Sequence, residues 1–226
     1  MLTCVTTTNG RSELLERAVE SLACLSPYIA RFILVDDGVQ VDVAARENFM
    51  SRLGPAEIIE TRGRGQAVAV MSGIGAALEH DDDVLWWEDD FVCDPHPQVA
   101  TWALERCMAL VDTNRGGLAQ AAMLRQPHFE NEKLHGGVMQ AREAEGARFR
   151  QTVPGVYVHT DHFTLNPSVI NIDALADVKY PIQSWHEAEY GRRLTASGWS
   201  FAYVTGPDRS PLVEHIGSYR AEGGSY

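Results

Sequence analysis

Asp83-Val84-Leu85-Trp86-Trp87-Glu88-Asp89-Asp90-Phe91-Val92 sets four bulky apolar residues against three adjacent acids. A short apolar run of this kind reads as a strand buried on both faces, the habit of parallel sheets. The acids then stand at its carboxyl end. A solvated turn is the plain alternative for a charge run. Against it stand the buried character of residues 84–87, the strand-end position, and the chemistry of hard cations. Mn2+ or Mg2+ takes oxygen from one or two carboxylates together with phosphates.

Upstream, the same unit repeats. Leu2 to Thr8 is β-branched and strand-like, Asn9-Gly10 turns, and Leu14, Leu15, Ala18, Val19 and Leu22 follow at helical spacing from Ser12. Phe32-Ile33-Leu34-Val35 runs into Asp36-Asp37-Gly38, and residues 43–53 again suggest a helix. Glu57 to Glu60 makes a third strand before the glycine-spaced Arg62-Gly63-Arg64-Gly65, and small residues from Gln66 to Leu78 suit a helix packed closely on a sheet. Strands alternating with helices imply an α/β fold, a Rossmann-like, mostly parallel sheet flanked by helices. Such sheets bind ligands beyond the carboxyl ends of their strands, so Asp36-Asp37 and Glu88-Asp89-Asp90 are expected to share one crevice.

Downstream, a helix is expected from about Val99 to Val111, a strand over Gly117 to Met123, and an irregular, partly mobile excursion from Arg125 to Arg150. Strands over Val156–His159 and Phe163–Ile172 come next, then a helix from near Trp185 to Ser197 and a strand from Trp199 to Val204. Trp86, Trp102 and Trp199 read as core. One domain, residues 1–226, is expected, with halves at 1–115 and 116–226.

The 226 residues carry a formal charge of -12, which disfavours nucleic-acid binding as a main role. DNA stays open only as a modified-base substrate, gripped by Lys133, Arg142, Arg148 and Arg150. The four cysteines lack zinc-site spacing and read as buried free thiols. No run of roughly 20 apolar residues spans a membrane and the start lacks a signal-peptide pattern, so a cytoplasmic location is expected.

Thr6-Thr7-Thr8-Asn9-Gly10-Arg11, Val35-Asp36-Asp37-Gly38, Arg62-Gly63-Arg64-Gly65-Gln66-Ala67 and Trp87-Glu88-Asp89-Asp90 follow in the order of the GT-A glycosyltransferases, and the chain resembles their inverting, family 2-like, DxD-type members. Trp185-His186-Glu187-Ala188-Glu189-Tyr190-Gly191-Arg192-Arg193-Leu194 resembles their E-D-x-D helix, with His186 at the first acid. Val213-Glu214-His215-Ile216-Gly217-Ser218-Tyr219-Arg220 resembles their metal-completing tail.

The resemblance implies transfer of a sugar from a nucleoside diphosphate sugar, UDP first and GDP or dTDP next, to an acceptor hydroxyl on a glycan, small molecule, protein or modified DNA base. Asp90 and His215 would hold Mn2+ or Mg2+. Thr8, Asn9, Arg11, Asp36, Asp37, Arg62, Gly65, Gln66, Glu88, Asp89, Ser218 and Arg220 would contact the donor, and Glu187 or Glu189 would be the base. Asp161, His162, Asn166, Trp185 and His186 would lie on the acceptor side. A nucleotide-sugar-binding protein without catalysis, or a sugar nucleotidyltransferase, is the alternative.

Overall fold

A computed structural model describes residues 1–39, 42–93, 97–181 and 186–217. The chain alternates at first through β1 (Leu2–Thr8), α1 (Ser12–Leu22), β2 (Ile29–Asp36), α2 (Val43–Leu53), β3 (Ala56–Glu60), α3 (Gln66–Ala77) and β4 (Asp83–Glu88). Next come β5 (Phe91–Cys93), α4 (Pro97–Thr113), β6 (Leu118–Met123), α5 (Glu130–His135) and α6 (Val138–Ala144). The chain continues through β7 (Arg150–Val153), β8 (Val156–His159), β9 (Ser168–Ile170), α7 (Ile172–Asp177), α8 (His186–Ala196), β10 (Ser200–Val204) and β11 (Val213–His215).

Nine strands form one sheet in the order β3-β2-β1-β4-β9-β6-β10-β8-β7. Only β8 and β9 run against the others, so the sheet is mostly parallel in direction. Alternate residues of a strand face opposite sides. Leu85 and Trp87 accordingly join the core under α1, α2 and α4, while Val84 and Trp86 join the one under α3, α7 and α8. A Cβ on Gly73 would lie 2.6 Å from Val5 Cγ1, which is why α3 needs small residues to sit on β1. No described helix is long and apolar enough to cross a membrane.

Three expectations change, and one feature is new. The excursion from Arg125 to Arg150 contains α5 and α6, helices of six and seven residues, too short to show a clear period. They are held by tertiary bonds described below. The strand expected over Phe163–Ile172 shrinks to β9, because the side chain of Gln120 accepts from Thr164 N–H and donates to Thr164 C=O, taking the place of a ladder. Trp102 is 41% exposed rather than core, with the Arg106 guanidinium over its ring. Lastly, β5 and β11 pair antiparallel in a second, two-stranded ribbon, His215 opposite Phe91.

Candidate active site

Register brings the acids together. In β1, Thr8 stands beside Asp36 of β2 on one side, and Thr7 beside Glu88 of β4 on the other. Both acidic clusters therefore open at the carboxyl edge of three adjacent parallel strands. The chain order that separates them by some fifty residues has no bearing on their spacing here.

Asp89 is fully buried and points back under β1, where Thr8 Oγ1 donates to it at 2.7 Å and Arg11 forms a two-pronged ion pair. Burial lifts the Asp89 pKa to about 6, with Arg11 and Thr8 pulling against it. Arg11 Nη1 also donates to Asp90 Oδ2 at 2.9 Å. Burial pushes the Asp90 carboxyl up, but the hydrogen bond from His215 and the charge of Arg11 outweigh it, and the pKa falls below the ordinary value. Asp90 Oδ1 is buried without a hydrogen-bond partner.

The ribbon delivers His215 to this acid. Ile216 N–H donates to Asp90 C=O at 2.7 Å, and His215 Nε2 lies 3.4 Å from Asp90 Oδ2. The tail passes so closely that a Cβ on Gly217 would be 2.8 Å from Asp90 Oδ2. Phe91 meets the His215 ring edge-on at 4.9 Å, and the Nδ1 of His128 lies 3.2 Å from its Nδ1.

Glu88 accepts from Gln66 Nε2 at 2.9 Å, which ties it to the first turn of α3. Burial, then the charges of Asp90 and Glu187, hold its pKa well above the ordinary carboxylate range. Glu187, in the first turn of α8, accepts from Leu165 N–H at 2.8 Å, and burial raises its pKa also. Three carboxylates thus come together at this edge, Asp90 buried and Glu88 and Glu187 half-buried. Glu189 points elsewhere, into an exposed cluster with Arg192 and Arg193 that lowers its pKa.

The remaining candidates divide by what they touch. Asp37 is saturated internally: Thr61 Oγ1 donates to it at 2.5 Å, Arg64 N–H at 2.8 Å and Gly65 N–H at 2.9 Å, so it shapes the 62–65 loop. Asp36 accepts from Gly38 N–H and pairs with Arg46. Arg62 turns outward to Glu60, and Asn9 is exposed at the turn. His162 bridges Asp161 (2.7 Å) and the Tyr203 hydroxyl (2.8 Å). Asn166 N–H donates to Thr164 Oγ1, and His186 hydrogen-bonds Tyr180. Trp185, Ser218 and Arg220 lie outside the described residues. His128, whose approach to His215 no local motif announces, carried no role in the sequence reading.

No protein-family model and no curated protein matches the chain. Solved structures do. The mannosyltransferase PcManGT from Pyrobaculum calidifontis, in complex with GDP-Man and Mn2+, superposes with a TM-score of 0.63 at 16% identity over 97% of this chain. Glucosyl-3-phosphoglycerate synthase from Mycobacterium tuberculosis gives 0.60 at 13% over 97%, and S. aureus TarS 1–349 with UDP-GlcNAc 0.60 at 13% over 99%. The chain spans 58% of the first, 73% of the second and 60% of the third. At such identities the likeness is one of architecture, and the chain has the fold of GT-A-type glycosyltransferases.

Proposed function

We propose that this protein is a divalent-metal-dependent, inverting glycosyltransferase that takes its sugar from a nucleoside diphosphate donor. The observation carrying the reading is the meeting of half-buried Glu88 and Glu187 with buried Asp90 at the sheet edge, with His215 brought onto Asp90. Among neighbours in fold, one is described with GDP-Man and Mn2+ and another with UDP-GlcNAc. A UDP sugar is the first donor to try, then GDP and dTDP sugars.

The residues fit a hard cation. Asp90 Oδ1 is orphaned, and Oδ2 accepts from Arg11 Nη1 and faces an imidazole nitrogen. Among the described residues no group of three or more His, Cys, Asp or Glu could hold a metal ion. Asp90 and His215 would therefore hold it with phosphate oxygens completing the shell, as Mn2+ and Mg2+ commonly do. When bound, the cation neutralises charge on the departing diphosphate.

The chain's own residues do the rest. Asp89 and Thr8 fix Arg11, whose guanidinium reaches the crevice as a second positive group toward the donor. Glu88, steered by Gln66, offers a carboxyl to a ribose or sugar hydroxyl. Glu187 removes the acceptor proton: burial gives it a pKa above an ordinary glutamate, nearer the value a general base needs at neutral pH. Attack from the Glu187 side, opposite the departing diphosphate, inverts the anomeric carbon.

Thermal-shift measurements with UDP, GDP and dTDP sugars, with and without Mn2+, test the donor and the metal together, since a ligand that binds the native state raises its melting point. Stabilisation by one donor only with Mn2+, followed by slow donor hydrolysis, is expected. Stabilisation without hydrolysis or transfer to any acceptor would leave a binder in place of the enzyme.

A further inference from the structure

His128 enters the site from outside the fold's regular elements, and its backbone is pinned. Arg125, 8% exposed, forms a two-pronged ion pair with Glu132, 9% exposed, at 2.7 and 2.6 Å. Glu132 Oε2 also accepts the N–H groups of His128 and Phe129, at 2.9 and 3.1 Å. The same segment is tied to the tail strand: Arg125 bridges Val213, and Gln126 N–H donates to Val213 C=O at 3.0 Å. A buried ion pair thus anchors both the turn that presents His128 and the strand that presents His215.

The two rings meet with centroids 4.1 Å apart and Nδ1 atoms 3.2 Å apart, while the far nitrogen of His215 faces Asp90. One Nδ1 must donate and the other accept. To ligate a cation through Nε2, an imidazole must carry its proton on Nδ1, and metal-bound histidines generally give that N–H to a fixed acceptor. His128 Nδ1 is in the position of that acceptor. We propose that His128 is a positioning residue for the cation site, holding His215 with its proton on Nδ1 and Nε2 turned to the metal.

On this reading the Nδ1–H···Nδ1 bond is the same with and without the cation. Only the partner of Nε2 changes, any proton there leaving to solvent as the metal enters. The inference rests on the assignment of Asp90 and His215 as metal ligands, and it gives the buried Arg125–Glu132 pair a purpose beyond stability.

The test is titration of the full chain with Mn2+ alone, following the free-ion signal by electron paramagnetic resonance, for the wild type, His128→Phe, His128→Asn and His215→Ala. Phenylalanine keeps the ring packed against Phe129 but cannot accept, whereas asparagine can place a carbonyl oxygen near the Nδ1 position. Affinity is expected to fall about 10–100-fold in His128→Phe, to stay near wild type in His128→Asn, and to fall furthest in His215→Ala. Wild-type affinity in His128→Phe, or equal losses in both His128 variants, would overturn the role of His128 while leaving the metal site standing. Equal or absent binding by wild type and His215→Ala would overturn the metal site itself. Thermal midpoints of all four proteins guard against reading a folding defect as lost affinity.

Discussion

Leu165 N–H donates to Glu187 Oε2 at 2.8 Å, while two residues along the same helix Glu189 is held by Arg192 and Arg193. Two residues of helix, a rotation of about 200°, separate a carboxylate aimed into the crevice from one neutralised at the surface. Glu187→Gln should therefore cut turnover by about 10²–10⁴-fold, and Glu189→Gln should change it little. Initial rates of the two variants with one donor decide the assignment. Loss confined to the Glu189 variant would move the base to the other acid.

The same burial makes a pH argument. Glu187 must be ionised to accept a proton, and its folded pKa is raised, so the acid limb of kcat/KM should lie above the titration of an ordinary glutamate. For stability the sign is opposite to that of a paired carboxylate. The folded state holds this proton more tightly than the unfolded chain, so stability from Glu187 is lost as pH rises from the unfolded value through the folded one. Glu187→Gln removes the penalty and should raise the midpoint at pH values above the folded pKa. Calorimetry at pH 5 and pH 8 should show a larger gain at the higher pH.

Asp90→Asn keeps the shape but weakens the anion facing His215 and Arg11. Metal-dependent turnover should fall by about 10²–10³-fold, with the midpoint nearly unchanged because Asp89 still holds Arg11. Undiminished transfer with Mn2+ would remove Asp90 from the metal's shell.

Gly217→Ala places a methyl group 2.8 Å from Asp90 Oδ2 and 3.0 Å from Asp90 Cβ. The tail has to lift, carrying His215 with it, and a displacement near 1 Å can cost about 10²-fold in turnover. The nine-strand core is untouched, so far-ultraviolet circular dichroism and the melting midpoint should stay close to wild type while Mn2+ affinity falls.

Arg125→Met leaves Glu132 buried and unpaired, a change that typically costs about 3–5 kcal/mol. The expected midpoint drop is of the order of 10 °C. Glu132→Gln in the Arg125→Met background should restore a large part of it, because the lone charge is then gone.

Much of this arrangement was written in local patterns. Val84 to Trp87 and Phe32 to Val35 announce buried strands by composition, and acids directly after them land at the ligand edge of a parallel sheet whatever the details of packing. Contacts made between distant segments left no such mark. The ribbon partners Phe91–Cys93 and Val213–His215 are three residues each, below the length at which alternation can be counted. His128 sits in a stretch without period, and contacts across the fold, among them the Arg125–Glu132 pair, bring it to His215. Asp36 and Asp37 illustrate the opposite limit: their place at the edge was readable, but not that loop amides and Arg46 take up their oxygens.

The pairing of β5 with β11 also bears on the order in which the molecule is built. Loop closure between such distant partners is entropically costly and comes late, after the local strand–helix units have formed. During synthesis the donor-facing half can take shape while Asp90 still waits for His215. If Asp90 and His215 hold the cation as proposed, that site forms only once the strand Val213–His215 has been made and has paired with Phe91–Cys93.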